Sequence, residues 1–230
     1  MPSIFDNLRC VLDNIAASAA RAGRDPSEVR LVAVTKNVDA ARICSLVSAG
    51  VGHLGENRVQ EAAQKIPQVA GSPTWHLVGH LQRNKARHAV ELFSVLQSLD
   101  SLELAAELDR RCATRGVSLD ALLQVNISGE STKYGVAPDA AAGMLREMPR
   151  FEHLRVLGLM TMAPYSEDAE DARVWFRALR HLAGELSTLR LSNVAMDELS
   201  MGMSGDYQVA VEEGSTIVRV GTAIFGPRVR

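Results

Sequence analysis

Lys36 is the residue in this chain best placed to do chemistry. It ends the apolar run Leu31-Val32-Ala33-Val34. A lysine becomes a nucleophilic amine when desolvation or nearby positive charge lowers its pKa, and attack on a carbonyl carbon to form a Schiff base requires that. A lone lysine after an apolar run is ordinarily a solvated cation, so the assignment needs support from elsewhere. Two glycine-rich clusters supply it: Gly202-Met203-Ser204-Gly205-Asp206 and Gly221-Thr222. Glycines let backbone N–H groups approach a ligand, and a helix N-terminus favours an anion, so the pair reads as a phosphate cradle with Ser204 and Thr222 adding hydroxyls. Taken alone, Ser204 or Asp206 serves equally well as a helix cap.

Arg219 lies inside the apolar run Thr216-Ile217-Val218-Arg219-Val220. A cation in a buried strand is costly unless it is paired or functional. Pointing inward, it could donate to a ring nitrogen; pointing outward, it could pair with Glu212 or Glu213. The inward direction is preferred. Asn57 is a candidate for a ring or hydroxyl contact, while Glu56 is expected to open a helix and complement its dipole. His76 and His80 invite a metal, but Trp75 to Gly79 reads as a strand and no carboxylate motif accompanies them. His76 is therefore expected to be a hydrogen-bonded core or pocket histidine.

These residues lie far apart in the chain and need a scaffold that brings them together. Short apolar runs alternate with amphipathic ones. Helical spacing covers Ile4 to Ala22, with Gly23 as its stop. Asp39 is expected to cap a helix that runs through Ala49 and ends at Gly50. Further strands are expected at His53 to Gly55, Trp75 to Gly79, Phe93 to Leu99, Ala121 to Val125, Val156 to Met160, Glu198 to Met201 and Ile217 to Val220. The intervening helices are placed at Glu56 to Ile66, Lys85 to Val90, Asp100 or Ser101 to Arg115, Pro138 to Glu147, Asp168 to Leu189 and Asp206 to Glu213. The apolar runs are continuous rather than alternating, as in strands buried on both faces. The pattern predicts an α/β fold, a single (β/α)8 TIM barrel with an extra N-terminal helix, one domain over residues 1–230; an open doubly wound sheet is the alternative. In a barrel the polar clusters after the strands converge on one face.

Composition removes several other classes of function. Hydrophobic residues make up 47% of the 230, enough for a sizeable core, and the formal net charge is −2. No basic excess favours nucleic acid. No run approaches the roughly 20 apolar residues needed to cross a bilayer, and the first residues do not read as a signal peptide. Cys10, Cys44 and Cys112 form no CxxC pair and suit a reducing cytoplasm. A monomer is the expectation.

The ordered motifs resemble the YggS/PROSC-type pyridoxal phosphate homeostasis proteins across nearly the whole chain. They include Val32-Ala33-Val34-Thr35-Lys36, Gly55-Glu56-Asn57-Arg58-Val59-Gln60-Glu61 and Trp75-His76-Leu77-Val78-Gly79-His80-Leu81-Gln82-Arg83-Asn84-Lys85. Val125-Asn126-Ile127-Ser128-Gly129-Glu130, Gly158 to Pro164, Leu199 to Tyr207 and Arg219 to Gly226 continue the match. The resemblance implies a fold-type III pyridoxal phosphate barrel, like the barrel domain of alanine racemase, with pyridoxal 5′-phosphate as a Schiff base on Lys36. It further implies Arg219 against the pyridine nitrogen, Asn57 and Met160 along the ring, and the phosphate among Ser200, Met201, Ser204, Gly221 and Thr222. Asn37-Val38-Asp39 departs from the Thr-x-Pro expected after the lysine.

Three functions compete. A cofactor-handling protein would bind pyridoxal phosphate, limit the free aldehyde and pass cofactor to apo-enzymes. An amino-acid racemase or decarboxylase of this fold type would need a second, β-rich domain, and only Pro227 to Arg230 follow Gly226. An arginine at the pyridine nitrogen also makes the ring a poorer electron sink. A Schiff-base aldolase barrel would use Lys36 without a cofactor, and the motif match argues against it. The carrier without significant catalysis is the expectation.

Overall fold

The structure, a computed structural model, describes residues 3–226. Eight parallel strands close into a barrel in chain order: β1 (Arg30–Val34), β2 (His53–Glu56), β3 (Thr74–Leu77), β4 (Val95–Leu99), β5 (Leu119–Gln124), β6 (Leu154–Met160), β7 (Val194–Ser200) and β8 (Ile217–Val220). Closure is made by β1 against β8, with Arg30 opposite Ile217 and Ala33 opposite Val220. Helix α1 (Ile4–Arg21) precedes the barrel. Each strand is then followed by a helix: α2 (Ala40–Ser48), α3 (Val59–Lys65), α4 (Ala86–Leu92), α5 (Leu102–Arg115), α6 (Pro138–Glu147), α7 (Arg173–Ser187), α8 (Tyr207–Glu212) and α9 (Thr222–Phe225). The doubly wound alternative is thereby excluded.

Local chemistry explains the boundaries. Ser3 and Asp6 form a reciprocal capping box on α1, whose buried face of Leu8, Val11, Ile15 and Ala19 packs toward α8 and α9. Asp39 accepts the Arg42 amide at the start of α2, and Gly50 follows its end with φ of 94°. Ser101, rather than Asp100, caps α5.

Two expected helices start later than their sequence pattern suggests. Glu56 belongs to β2, opposite Leu77, and α3 begins only at Val59. Its carboxylate is buried against Thr35 and Lys65, so it serves the strand end rather than a helix dipole. Asp168 caps a 3-10 turn, Ala169–Ala172, before α7 begins at Arg173. Phe176, Leu179, Ala183 and Leu186 form the buried face of α7, while Val174 is exposed.

The barrel interior is a small core of Val32, Leu122, Met160 and Ile217, distinct from the larger shell between strands and helices. Both faces of the sheet are therefore covered, which is why the strands read as continuous apolar runs.

Candidate functional site

A cleft of about 420 Å³ opens at the carboxyl ends of the strands. Lys36 enters it from the end of β1, Asn57 from the loop after β2, and Gly79 and His80 from the loop after β3. Ser204 and Gly205 come from the β7–α8 loop, and Arg219, Gly221 and Thr222 from β8 and the start of α9. Six residues proposed from the sequence thus share one cavity: Lys36, Asn57, Ser204, Arg219, Gly221 and Thr222.

The backbone on both sides of Lys36 is gripped by one polar network. Lys65 Nζ donates to the Thr35 carbonyl at 2.6 Å and to Glu56 Oε1 at 2.9 Å, and it also pairs with Glu61. Thr35 Oγ1 donates to Glu56 Oε1 at 2.6 Å. Glu61 accepts the amide of Asn37, whose φ of 59° turns the chain sharply after the lysine. Burial raises the pKa of Glu56 against the opposing hydrogen bonds from Thr35 and Lys65. Burial also pushes Glu61 upward, but the bonds from Lys65 and Asn37 bring it below the usual carboxylate range.

At the other end of the cleft, Ser204 Oγ accepts from the amides of Gly221 and Ala223, each at 3.2 Å. Two backbone donors therefore converge on one oxygen position. A Cβ at Gly221 would stand 3.1 Å from the Val34 carbonyl oxygen, so only glycine lets these strands approach without adjustment. Asp206 accepts the Met203 amide and makes no side-chain cap on α8; it orders the loop that carries Ser204.

Arg219 points inward. Its guanidinium donates to Ser200 Oγ and, at 2.7 Å, to the Thr161 carbonyl. The outward alternative fails because Glu212 and Glu213 are held by Arg21, Arg173 and Arg177. Burial lowers the Arg219 pKa to about 10, partly offset by Asp206, so it remains a cation at neutral pH. Met160, Ser200 and Met201 are fully buried and do not border the cleft. Met160 and Ser200 sit opposite each other one layer below it, and Met201 belongs to the outer shell. His76 is also inside, hydrogen-bonded to Gln97 and His53. Among the described residues no group of three or more His, Cys, Asp or Glu side chains could hold a metal ion.

At the mouth of the cleft only one of two partners is marked in the sequence. The His80 ring stacks on Tyr134 with centroids 3.8 Å apart and 7° between planes, and His80 Nδ1 lies 3.1 Å from Asp100 Oδ2. His80 was visible as a polar residue after a strand. Tyr134 carried no such signal, because a long irregular loop after β5 brings it over, anchored by Gln124 to the Tyr134 carbonyl.

The closed parallel barrel belongs to a described class: the family model of the alanine racemase N-terminal domain matches residues 7–229. Alanine racemase from Clostridium difficile shares the fold, with a TM-score of 0.73 at 14% identity, covering 98% of this chain and 58% of that one. Much nearer is the pyridoxal phosphate homeostasis protein of Aquifex aeolicus, 40% identical over 224 residues, 97% of each chain. That of Escherichia coli K12 is 39% identical over 237 residues, 99% of this chain and 98% of the other. The structure of PipY from Synechococcus elongatus with PLP bound superposes with a TM-score of 0.80 at 40% identity, covering 92% and 100% of the two chains. The chain belongs to the pyridoxal phosphate homeostasis protein family.

Proposed function

We propose that this chain binds pyridoxal 5′-phosphate and serves vitamin B6 homeostasis as a carrier without significant catalysis. The observation that carries the reading is the convergence, in one cleft, of Lys36, Arg219, Gly221, Thr222 and Ser204, whose Oγ is held by the Gly221 and Ala223 amides. The donor set fits the cofactor. The Gly221 and Ala223 amides, with Ser204 and Thr222, suit a phosphate, and Arg219 suits a ring nitrogen that accepts a hydrogen bond. Asn57 borders the same cleft and could contact the ring.

Bound there, the cofactor would supply an aldehyde carbon open to a primary amine. The protein's part is positional. The Thr35, Lys65 and Glu61 network holds the Lys36 backbone, so the amine presents from a fixed origin. Arg219, a cation at neutral pH, would donate to the ring nitrogen and leave it unprotonated, which would hold back carbanion chemistry. The homeostasis names of the relatives support a carrier over a racemase. The unbridged Cys10, Cys44 and Cys112 fit a reducing cytoplasm. No helix among the described residues is long and apolar enough to cross a membrane. We further take the chain to act as one domain and a monomer that passes cofactor to apo-enzymes.

The test is the absorption spectrum with saturating pyridoxal phosphate, before and after borohydride, with mass analysis of the Lys36 peptide. Reduced cofactor on Lys36, absent from Lys36→Ala, is the expected result. No band and no adduct would defeat the reading.

A further inference from the structure

The barrel interior carries a hydrogen-bonded chain that starts at Arg219 and leads away from the cleft. The guanidinium donates to Ser200 Oγ, and Ser200 Oγ donates to Gln97 Oε1 at 2.7 Å. Gln97 Nε2 lies 3.0 Å from His76 Nδ1. His76 Nε2 lies 3.1 Å from His53 Nδ1. Ser200, Gln97 and His76 are at most 1% exposed, so any bond lost here leaves a buried polar group unsatisfied.

Chemistry fixes the direction of this chain. A guanidinium has five N–H donors and no acceptor. Ser200 must therefore accept from Arg219, and its own proton goes to Gln97 Oε1. Gln97 then offers its amide N–H to His76 Nδ1, which makes that nitrogen the acceptor. The single proton of a neutral imidazole is left on Nε2, facing His53 Nδ1. Every donor points away from Arg219. With Gln97 flipped, Ser200 would face an N–H from each side, and its hydroxyl proton would have no acceptor in the chain. Burial agrees: it pushes the His76 pKa down to about 3, with His53 and Arg30 adding to the effect, so the ring is neutral.

We propose that Gln97 is a positioning residue for Arg219: by taking the Ser200 proton it turns the Ser200 lone pair to the guanidinium, and His76 and His53 hold Gln97 in the one orientation that does so. Gln97 does not line the cleft. The consequence for cofactor rests on the function proposed above; the polarity of the chain does not.

The test separates the two. In the full-length protein without added ligand, nitrogen NMR should find His76 as the neutral Nε2–H tautomer and the Arg219 Nη protons slow to exchange with water. Gln97→Met removes both bonds. It should speed that exchange about tenfold and weaken pyridoxal phosphate binding about tenfold, the scale of one buried donor left unmet. Gln97→Glu keeps an oxygen for Ser200 and should restore both to within about threefold of wild type; a merely structural role would leave Arg219 exchange unmoved in both variants. If Gln97→Met does not fold, the wild-type tautomer of His76 still decides, because the proposal requires Nδ1 to accept from Gln97. His76 protonated on Nδ1, or Gln97→Met indistinguishable from wild type in exchange and affinity, would overturn the proposal. A wild type that shows the expected tautomer and exchange but takes up no pyridoxal phosphate would defeat the cofactor reading and leave the positioning role standing.

Discussion

Lys65 ties the ends of β1 and β2 to α3 through Thr35, Glu56 and Glu61. Its ammonium is the cation against Glu56, a fully buried carboxylate whose Oε2 has no hydrogen-bond partner. Removing one partner of such a pair strands the other, at about 3–5 kcal/mol. Lys65→Met should lower unfolding stability in urea by about 3 kcal/mol, and borohydride should trap less cofactor on Lys36 because the Thr35 carbonyl is no longer held. Arg219→Ala should act the other way round. It removes a cation that is costly to bury, so circular dichroism should show the fold intact, while a cofactor titration shows weaker binding or a shifted absorption band. At this scale, residue type carried much of the site. Lysine after an apolar run, arginine within one and the glycine-containing clusters around Ser204 and Thr222 all lead to the cleft. Depth was not legible. Met160 and Ser200 are paired across β6 and β7 with Ile217 beside them, one layer below residues two positions further on. Met162 and Arg219 take the cleft instead. Nothing in a single sequence fixes which inward layer a strand residue occupies.

Elements were easier to find than to bound. The eight strands and their helices follow from periodicity and caps, and α6 and β8 span the residues expected. The β2–α3 junction does not, because the signal there is tertiary: Glu56 reads locally as a first-turn acid, and only Lys65 and Thr35 make it a strand end. The same junction sets the distance between the loops after β2 and β3. A Cβ at Gly79 would overlap the carbonyl oxygen of Asn57. Gly79→Ala must therefore push the two loops apart, costing about 1–3 kcal/mol by overpacking and moving Asn57 within the cleft. Urea unfolding should register the first effect and a weaker pyridoxal phosphate affinity the second.

For the molecule as a whole, buried His76 and half-buried His53 set a pH limit. His76 titrates near 3 when folded and near 6.5 when unfolded, and burial lowers His53 as well. Below pH 6.5 the unfolded chain binds the extra proton, so stability is complete above that pH and falls toward pH 3, by up to about 1.4 kcal/mol per unit from His76 alone. Urea melts at falling pH should show a shallower decline for His76→Gln than for wild type. The closed sheet also has a seam with a consequence of its own. Strands β5 and β6 share a ladder of six residue pairs, whereas β7 and β8 share the single pair Ser200 and Ile217. A ligand held between the loops that follow β7 and β8 would bridge that short ladder. Hydrogen exchange at Met201, Thr216 and Arg219, whose amides cross the seam, should therefore be fast in the empty protein and slow most when pyridoxal phosphate is bound, making the backbone itself a gauge of occupancy.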